Sequence, residues 1–410
     1  MPREMKDSGI EWIGEIPAEW EIIRFKFLHN VMNTGEAIDK EYWSDDEKDT
    51  VFYTAGLLPI YTSYHDFPEW KYTNGNDLLL ARNGTPYVYY PVINACYTDH
   101  IIRAEMKADI NRKFVKYGLQ QSISSVIVNQ VSIATWSASL WNEQTIPWPP
   151  LSEQQKISAH LDSECAKIDD VITKTKTTIE EYKKLKQSVI TETVTKGIRP
   201  NREMKDSGIE WIGEIPKEWD VKVAFQLFSQ VKNKNEGLIE KNLLSLSYGK
   251  IKRKSIDTIG GLLPENFDGY NIIEKDDIVL RLTDLQNDHT SLRVGLSNER
   301  GIVTSAYLTL RNYSNNMPLY LYYYLHSYDI YKGFYGMGAG VRQGLNWDGV
   351  KLLKIVLPPV EEQIEITDYL EKQVNIFDTL IAKKEQIAAE LESYKKSLIY
   401  EYVTGKKEVI

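Results

Sequence analysis

The sequence predicts an α+β protein built by tandem duplication: two globular α/β domains, each followed by one long helix. Three observations carry this. Residues 3–20 read REMKDSGIEWIGEIPAEW and residues 202–219 read REMKDSGIEWIGEIPKEW, seventeen of eighteen positions agreeing, with Ala18 against Lys217 as the exception. Pro149-Pro150-Leu151-Ser152-Glu153-Gln154 returns as Pro358-Pro359-Val360-Glu361-Glu362-Gln363. After each Pro-Pro pair, apolar residues recur at spacings of three and four.

The domains follow in order. Residues 1–150 form a first globular domain, 151–197 a first long helix, 198–359 a second globular domain and 360–410 a second long helix. The opening repeats are offset by 199 residues and the closing ones by 209, so ten extra residues fall in the second middle. The two middles, roughly 21–145 and 220–354, share little obvious sequence. Within them 78–81 (LLLA), 277–282 (DIVLRL) and 307–310 (YLTL) read as short strands, and 318–328 (PLYLYYYLHSY) as a buried helix.

The first long helix carries its stripe at Leu161, Cys165, Ile168, Ile172, Thr175, Ile179, Tyr182 and Val189. The second carries it 209 residues on, at Leu370, Val374, Phe377, Ile381, Lys384, Ala388, Leu391 and Leu398. So narrow a stripe is a coiled-coil seam rather than a wide globular face. Each helix is about 44 residues, roughly 65 Å long, and needs a partner, for which the other copy is the nearest. Ser152 with Gln155 is expected to form a capping box at the first helix start. Gly197 with Pro200, and Gly405, are expected to end the helices.

Composition excludes several classes. At 42% hydrophobic and 26% charged, the 410 residues have the balance of a folded protein. No run is apolar enough to span a bilayer, and no secretory signal is expected at the polar start. Two cysteines, Cys96 and Cys165, cannot make a disulfide framework. A cytoplasmic protein without membrane partners is expected. The net charge of −9 argues against a simple nucleic-acid binder, but it is uneven: −7 over residues 1–150 and +2 over 197–360.

No catalytic motif stands out. There is no GxxxxGK[ST] loop and no HExxH helix, and the six histidines have no metal-ligand spacing. No cofactor-binding or metal site is expected in this chain. Residues 336–340 (GMGAG) fail the GxGxxG pattern and suit a tight turn presenting Arg342 and Gln343.

The strongest binding signal is Lys250-Ile251-Lys252-Arg253-Lys254, within a stretch from Lys241 to Lys254 that holds five basic residues and no acidic one. Lys250, Lys252, Arg253 and Lys254 suit DNA phosphates; a solvated loop is the alternative. Arg281, Thr283, Gln286 and Asn287 follow a strand-like run, and Arg, Gln and Asn are side chains that make bidentate contacts to base edges. In the first domain Arg82, Asn83 and Thr85 stand at a loop after a strand, with Tyr87 beyond; a structural turn is the alternative there. The repeated Trp12, Trp20, Trp211 and Trp219 suit domain-edge packing, and the 26 tyrosines mostly core.

The repeated DSGIEWIGEIPxEW opening, and PPxxEQ leading into a long helix in each half, resemble the specificity subunit of type I restriction–modification enzymes. The resemblance covers essentially the whole chain. Residues 246–270 and 277–288 look like a target-recognition domain of that family, and 337–347 (MGAGVRQGLNW) like its closing segment, which holds Arg342 and Gln343. The first middle departs from this version with LLLARNGTPYVYY. The resemblance implies two target-recognition domains in pseudo-twofold arrangement, each reading one half of a bipartite, asymmetric site on double-stranded DNA. It implies two long helices packed antiparallel as spacer and dock for two methyltransferase subunits. Those partners would bind S-adenosylmethionine and methylate adenine, and motor–nuclease (restriction) subunits could join them. The chain itself would catalyse nothing. A coiled-coil interaction scaffold without DNA specificity is the rival reading of the same residues.

Overall fold

A computed structural model describes residues 3–409 apart from 130–134, 256–266, 286–287, 289–290 and 338–343; the side chains of 125–129 and 336 are likewise not described. The chain divides into two compact units, Met1–Lys176 with Gln386–Ile410, and Thr177–Glu385. The C-terminal segment thus packs with the N-terminal domain, so the compact units are not the sequence halves.

In the first unit the opening repeat folds as an antiparallel pair, Met5–Asp7 on Glu15–Pro17, and Glu21–Arg24 pairs with Thr145–Trp148. The domain's start and end are therefore neighbouring strands. Between them lies an antiparallel sheet of β1 (His29–Thr34), β2 (Asp77–Ala81), β3 (Val88–Tyr89) and β4 (Ile101–Met106), in the order β1-β4-β2-β3. Leu78 and Leu80 face a core shared with Val115, Leu119 and Ile123 of helix α1 (Arg112–Asn129). Leu79 and Ala81 face the opposite way, onto Tyr53, Tyr89 and Tyr97. A strand buried on both faces reads as an unbroken apolar run, which is why LLLA shows no alternation. Helix α2, Leu151–Lys196, leaves this unit.

The second unit repeats the plan. Met204–Asp206 pairs with Glu214–Pro216, and Asp220–Val223 with Lys354–Leu357. The strands β5 (Phe228–Gln230), β8 (Ile278–Leu280), β9 (Val294–Leu296) and β10 (Leu308–Asn312) make a sheet in the order β5-β10-β8-β9, the topology of the first unit. A hairpin of β6 (Leu244–Ser247) and β7 (Lys250–Arg253) packs Leu244, Leu246 and Ile251 with Val279, on one face of the sheet. Helix α3 (Pro318–Ile330) covers the other with buried Tyr320, Leu321 and Tyr324. The Tyr320 hydroxyl donates to a carbonyl, that of Val194 (3.1 Å) or Val356 (2.9 Å), so these core tyrosines are satisfied at their polar ends. The dissimilar middles thus share one framework, down to one buried aspartate. Asp77 at the start of β2 holds Arg103 of β4 at 2.8 Å, and Asp277 before β8 holds Arg311 of β10 at 2.6 Å.

Helix α4, Val360–Val403, completes both units. In the first, Asp169 of α2 meets Lys395 of α4 at 2.6 Å and Lys176 meets Glu392 at 3.3 Å. In the second, Lys186 meets Asp378 at 2.6 Å, with Tyr182 beside Phe377, and Arg199, just past the end of α2, meets Glu365 at 2.7 Å. Rising numbers on one helix meet falling numbers on the other, so the pair is antiparallel in each unit. Leu161, Cys165, Ile168, Ile172 and Leu398 are buried in one shared cluster of the first unit, with Leu391 packed against it. Leu370 is buried in the second unit with Val189 and Val374 packed against its cluster; Ile179, Phe377 and Ile381 are buried as well.

The helix starts differ from expectation. Helix α2 begins at Leu151, so Ser152 and Gln155 lie inside its first turns and make no capping box. The helix start is instead tied to the carbonyls of the Pro-Pro pair. The Pro150 carbonyl accepts the Gln154 amide at 3.0 Å, while the Gln154 side chain donates to Pro149 at 2.8 Å. Gln363 does the same with Pro359 and Pro358. At the far ends Gly197 and Gly405 have φ of +79° and +72°, the left-handed region that ends a helix. A Cβ there would also lie 3.0 Å from Trp219 and 2.5 Å from Pro17, respectively.

Candidate nucleic-acid interface

The duplicated motifs fold onto one another as a clamp in each unit. Arg202 binds the carboxylates of Glu218 and Glu362, and the Trp219 indole donates to Glu362 at 3.0 Å. In the first unit Arg3 binds Glu19 and Glu153, and the Trp20 indole donates to Glu153 at 2.9 Å. The opening repeat is thereby tied to the PPxxEQ helix start. Trp20 and Trp219 are fully buried, and Trp211 stacks beside Tyr324, Tyr328 and Tyr331, so these tryptophans are structural.

The basic cluster of the second unit is a strand, not a loop. Lys250, Lys252 and Lys254 are exposed, with no ion pair among the described residues. Alternation along β7 turns Arg253 to the other face, where its guanidinium binds the Glu299 carboxylate. The cluster is therefore three free ammonium groups and one neutralised guanidinium.

Arg281 follows β8 and is partly exposed, with Asp288 3.8 Å from its guanidinium; Thr283 is exposed. What shapes this loop is a residue the sequence reading missed, the fully buried Arg293. Its guanidinium donates to the carbonyls of Arg281 (3.0 Å), Thr283 (2.9 Å) and Asp288, and to the Tyr335 hydroxyl (3.0 Å). Its backbone N–H donates to the Asp329 carboxylate at 2.7 Å. Burial pushes Asp329 up to about 6 and His326, one turn away on α3, down to about 4. In sequence Arg293 is one charge ahead of Val-Gly-Leu, and nothing marks it as a loop organiser. Gln286, Asn287, Arg342 and Gln343 lie outside the described residues.

In the first unit Arg82 and Asn83 are built into the turn. The Arg82 amide donates to His100 (2.8 Å), its carbonyl accepts from Trp136, and the Asn83 side chain meets His100 Nδ1 at 2.8 Å. Thr85 is exposed. Tyr87 stands apart from it, lining a cleft of about 440 Å³ between α1 and the long helices, where Lys116 and Lys395 alternate with Asp162 and Asp169. Of these four Thr85 is the most open to solvent, and Arg82, Asn83 and Tyr87 are each partly exposed.

Among the described residues no group of three His, Cys, Asp or Glu side chains could hold a metal. No described helix is long and apolar enough to cross a membrane. Two α/β domains of one topology, each clamped to its own copy of the duplicated helix start, define a class of protein built from two copies of one domain plan.

The model of the type I restriction modification DNA specificity domain matches residues 17–187 and again 216–392. The chain belongs to this family: it is a non-catalytic specificity subunit, the component that recognises DNA sequence in a type I restriction–modification system. A Methanocaldococcus jannaschii protein bearing the name MjaX specificity subunit of a type I restriction enzyme is 25% identical, over 97% of this chain and 96% of its own. The EcoBI specificity subunit of Escherichia coli is 21% identical, over 91% and 85%. A chain from a solved structure concerning assembly and conformational transition of the type I R-M system aligns with a TM-score of 0.67 at 14% identity. It covers 96% of this chain and 99% of that one, a likeness of fold.

Proposed function

We propose that the chain reads a bipartite, asymmetric site on double-stranded DNA, one half with each globular domain, and carries two adenine-methyltransferase subunits on its long helices. Motor–nuclease subunits join these to make the restriction complex, and S-adenosylmethionine is bound by the methyltransferases. One observation carries the reading: two domains share a sheet topology and the same clamp residues, yet their middles, roughly 21–145 and 220–354, share little obvious sequence. Duplicated frames with unlike middles suit two half-sites of unlike sequence.

The docking part rests on α4. Beside its buried seam the helix carries a second apolar stripe, Tyr369, Ile376, Leu380, Ile387 and Tyr394, all exposed. Steps of seven, four, seven and seven keep one face of a coiled-coil helix, so a further helix can pack there. The test is sequencing of methylated adenines in cells with and without this chain. A two-part motif that vanishes with the chain supports the reading, and an unchanged pattern refutes it.

A further inference from the structure

We infer that the β6–β7 hairpin enters the DNA major groove with Tyr248 at its tip, so that Tyr248 is a base-reading residue of the second domain. This rests on the proposed reading of the chain as a DNA reader, and adds a residue to it.

The two strands join through only two residues, since Ser247 pairs directly with Lys250. Tyr248 and Gly249 have φ of +48° and +74°, the pattern of a type I′ turn. That turn favours Asn, Asp or Gly at its first central position, and a bulky side chain at positive φ is uncommon and costly. The ring gains nothing from packing, because Tyr248 is 77% exposed. A tyrosine held in this conformation and pointed at water has no structural return.

The tip is nevertheless firmly held. The Gly249 amide donates to the Leu292 carbonyl at 3.2 Å, and a Cβ on Gly249 would sit 3.1 Å from Leu292. Further back, Leu246 and Ile251 close over Gly295 of β9, where a Cβ would meet them at 2.5 and 3.0 Å. Leu292 is next to Arg293, so the hairpin tip is anchored to the residue that shapes the Arg281–Asp288 loop. Lys250 and Lys252 lie on one face of β7, two residues and four residues behind the tyrosine. A two-stranded ribbon fits the major groove of B-DNA. Ammonium groups along the ribbon suit the phosphates, and a phenol at its tip can donate or accept a hydrogen bond at a base edge.

The test uses the full chain co-expressed with its methyltransferase partner, on a duplex library randomised through both half-sites. Tyr248→Asn is the decisive variant, because Asn-Gly is a favoured type I′ pair and the hairpin should survive. Its Tm should equal or exceed that of the parent. Its selectivity should fall at least about fivefold at one or two adjacent positions of one half-site, since a base contact is worth about 1–3 kcal/mol, with the salt slope unchanged. The double variant Lys250→Ala/Lys252→Ala should instead weaken methylation of every duplex and lower the salt slope by about 0.9 per phosphate lost. If Tyr248→Asn keeps parental selectivity everywhere, or loses affinity uniformly, the inference is overturned while the function stands. If the parent itself shows no preferred sequence, both fall together.

Discussion

Replacing Arg202 by methionine should cost far more than replacing its repeat counterpart Arg3, although the two stand in nearly identical sequence. The Glu362 side chain is only 3% exposed and that of Arg202 10%, whereas Arg3 and Glu153 are each 23% exposed. Without Arg202, Glu362 keeps the Trp219 indole as its described side-chain donor and is left as a buried charge. Breaking such a pair costs about 3–5 kcal/mol. For a unit of this size a kcal/mol shifts Tm by about 2–4 °C, so a fall of roughly 6–20 °C is expected. At Arg3 water reaches the stranded Glu153, and the loss should stay near 1 kcal/mol. Calorimetry of the full chain, with hydrogen exchange over 204–219 and 5–20 to assign each transition, measures both. Adding Glu362→Gln to the Arg202 variant should recover part of the loss, because an uncharged acceptor still meets the indole. Equal losses at the two arginines, or no recovery by glutamine, would refute the burial argument.

Other outcomes follow from the same structure. Arg293→Met should free the Arg281–Asp288 loop and relax selectivity at the half-site read by the second domain, leaving the other half-site unchanged in a methylation library. Arg253→Ala should move the salt slope less than Lys250→Ala, since Glu299 already neutralises Arg253; an equal change would contradict this. Asp329 binds a proton more tightly folded than unfolded, so its contribution falls as pH rises from about 4 to about 6; His326 binds one less tightly, so its contribution falls as pH drops through that range. Asp329→Asn should therefore make urea stability rise more steeply between pH 4.5 and 6.5, and His326→Gln should make it rise less. Inserting one heptad into each long helix, after Glu181 and after Lys383, five residues from the Lys186–Asp378 pair on either side, keeps the seam in register. It adds roughly 10 Å of helix, about three base pairs at 3.4 Å each; an active variant with the original half-site spacing would refute a ruler role.

The sequence by itself determined the duplication, the long helices and the glycines that end them. Those features are local or repetitive: a seventeen-of-eighteen repeat needs no fold to be seen, and a seam at three-and-four spacing declares its helix. It also placed the basic run at Lys250–Lys254, because charge is visible without structure. Only the tertiary structure decided which of those charges are free, since Glu299, which neutralises Arg253, is 46 residues away. The common framework of the two middles was hidden for a similar reason. Strand order is set by backbone pairing between distant segments, and many side-chain sets satisfy the same pairing. The clamp was half legible: its arginines, tryptophans and glutamates all sat in the repeats, but their meeting across more than 130 residues was not. Arg293 and Tyr248 lay furthest from view. One is a buried cation whose partners are backbone carbonyls, which any sequence supplies, and the other is marked by a φ angle and an exposure that exist only once the hairpin closes.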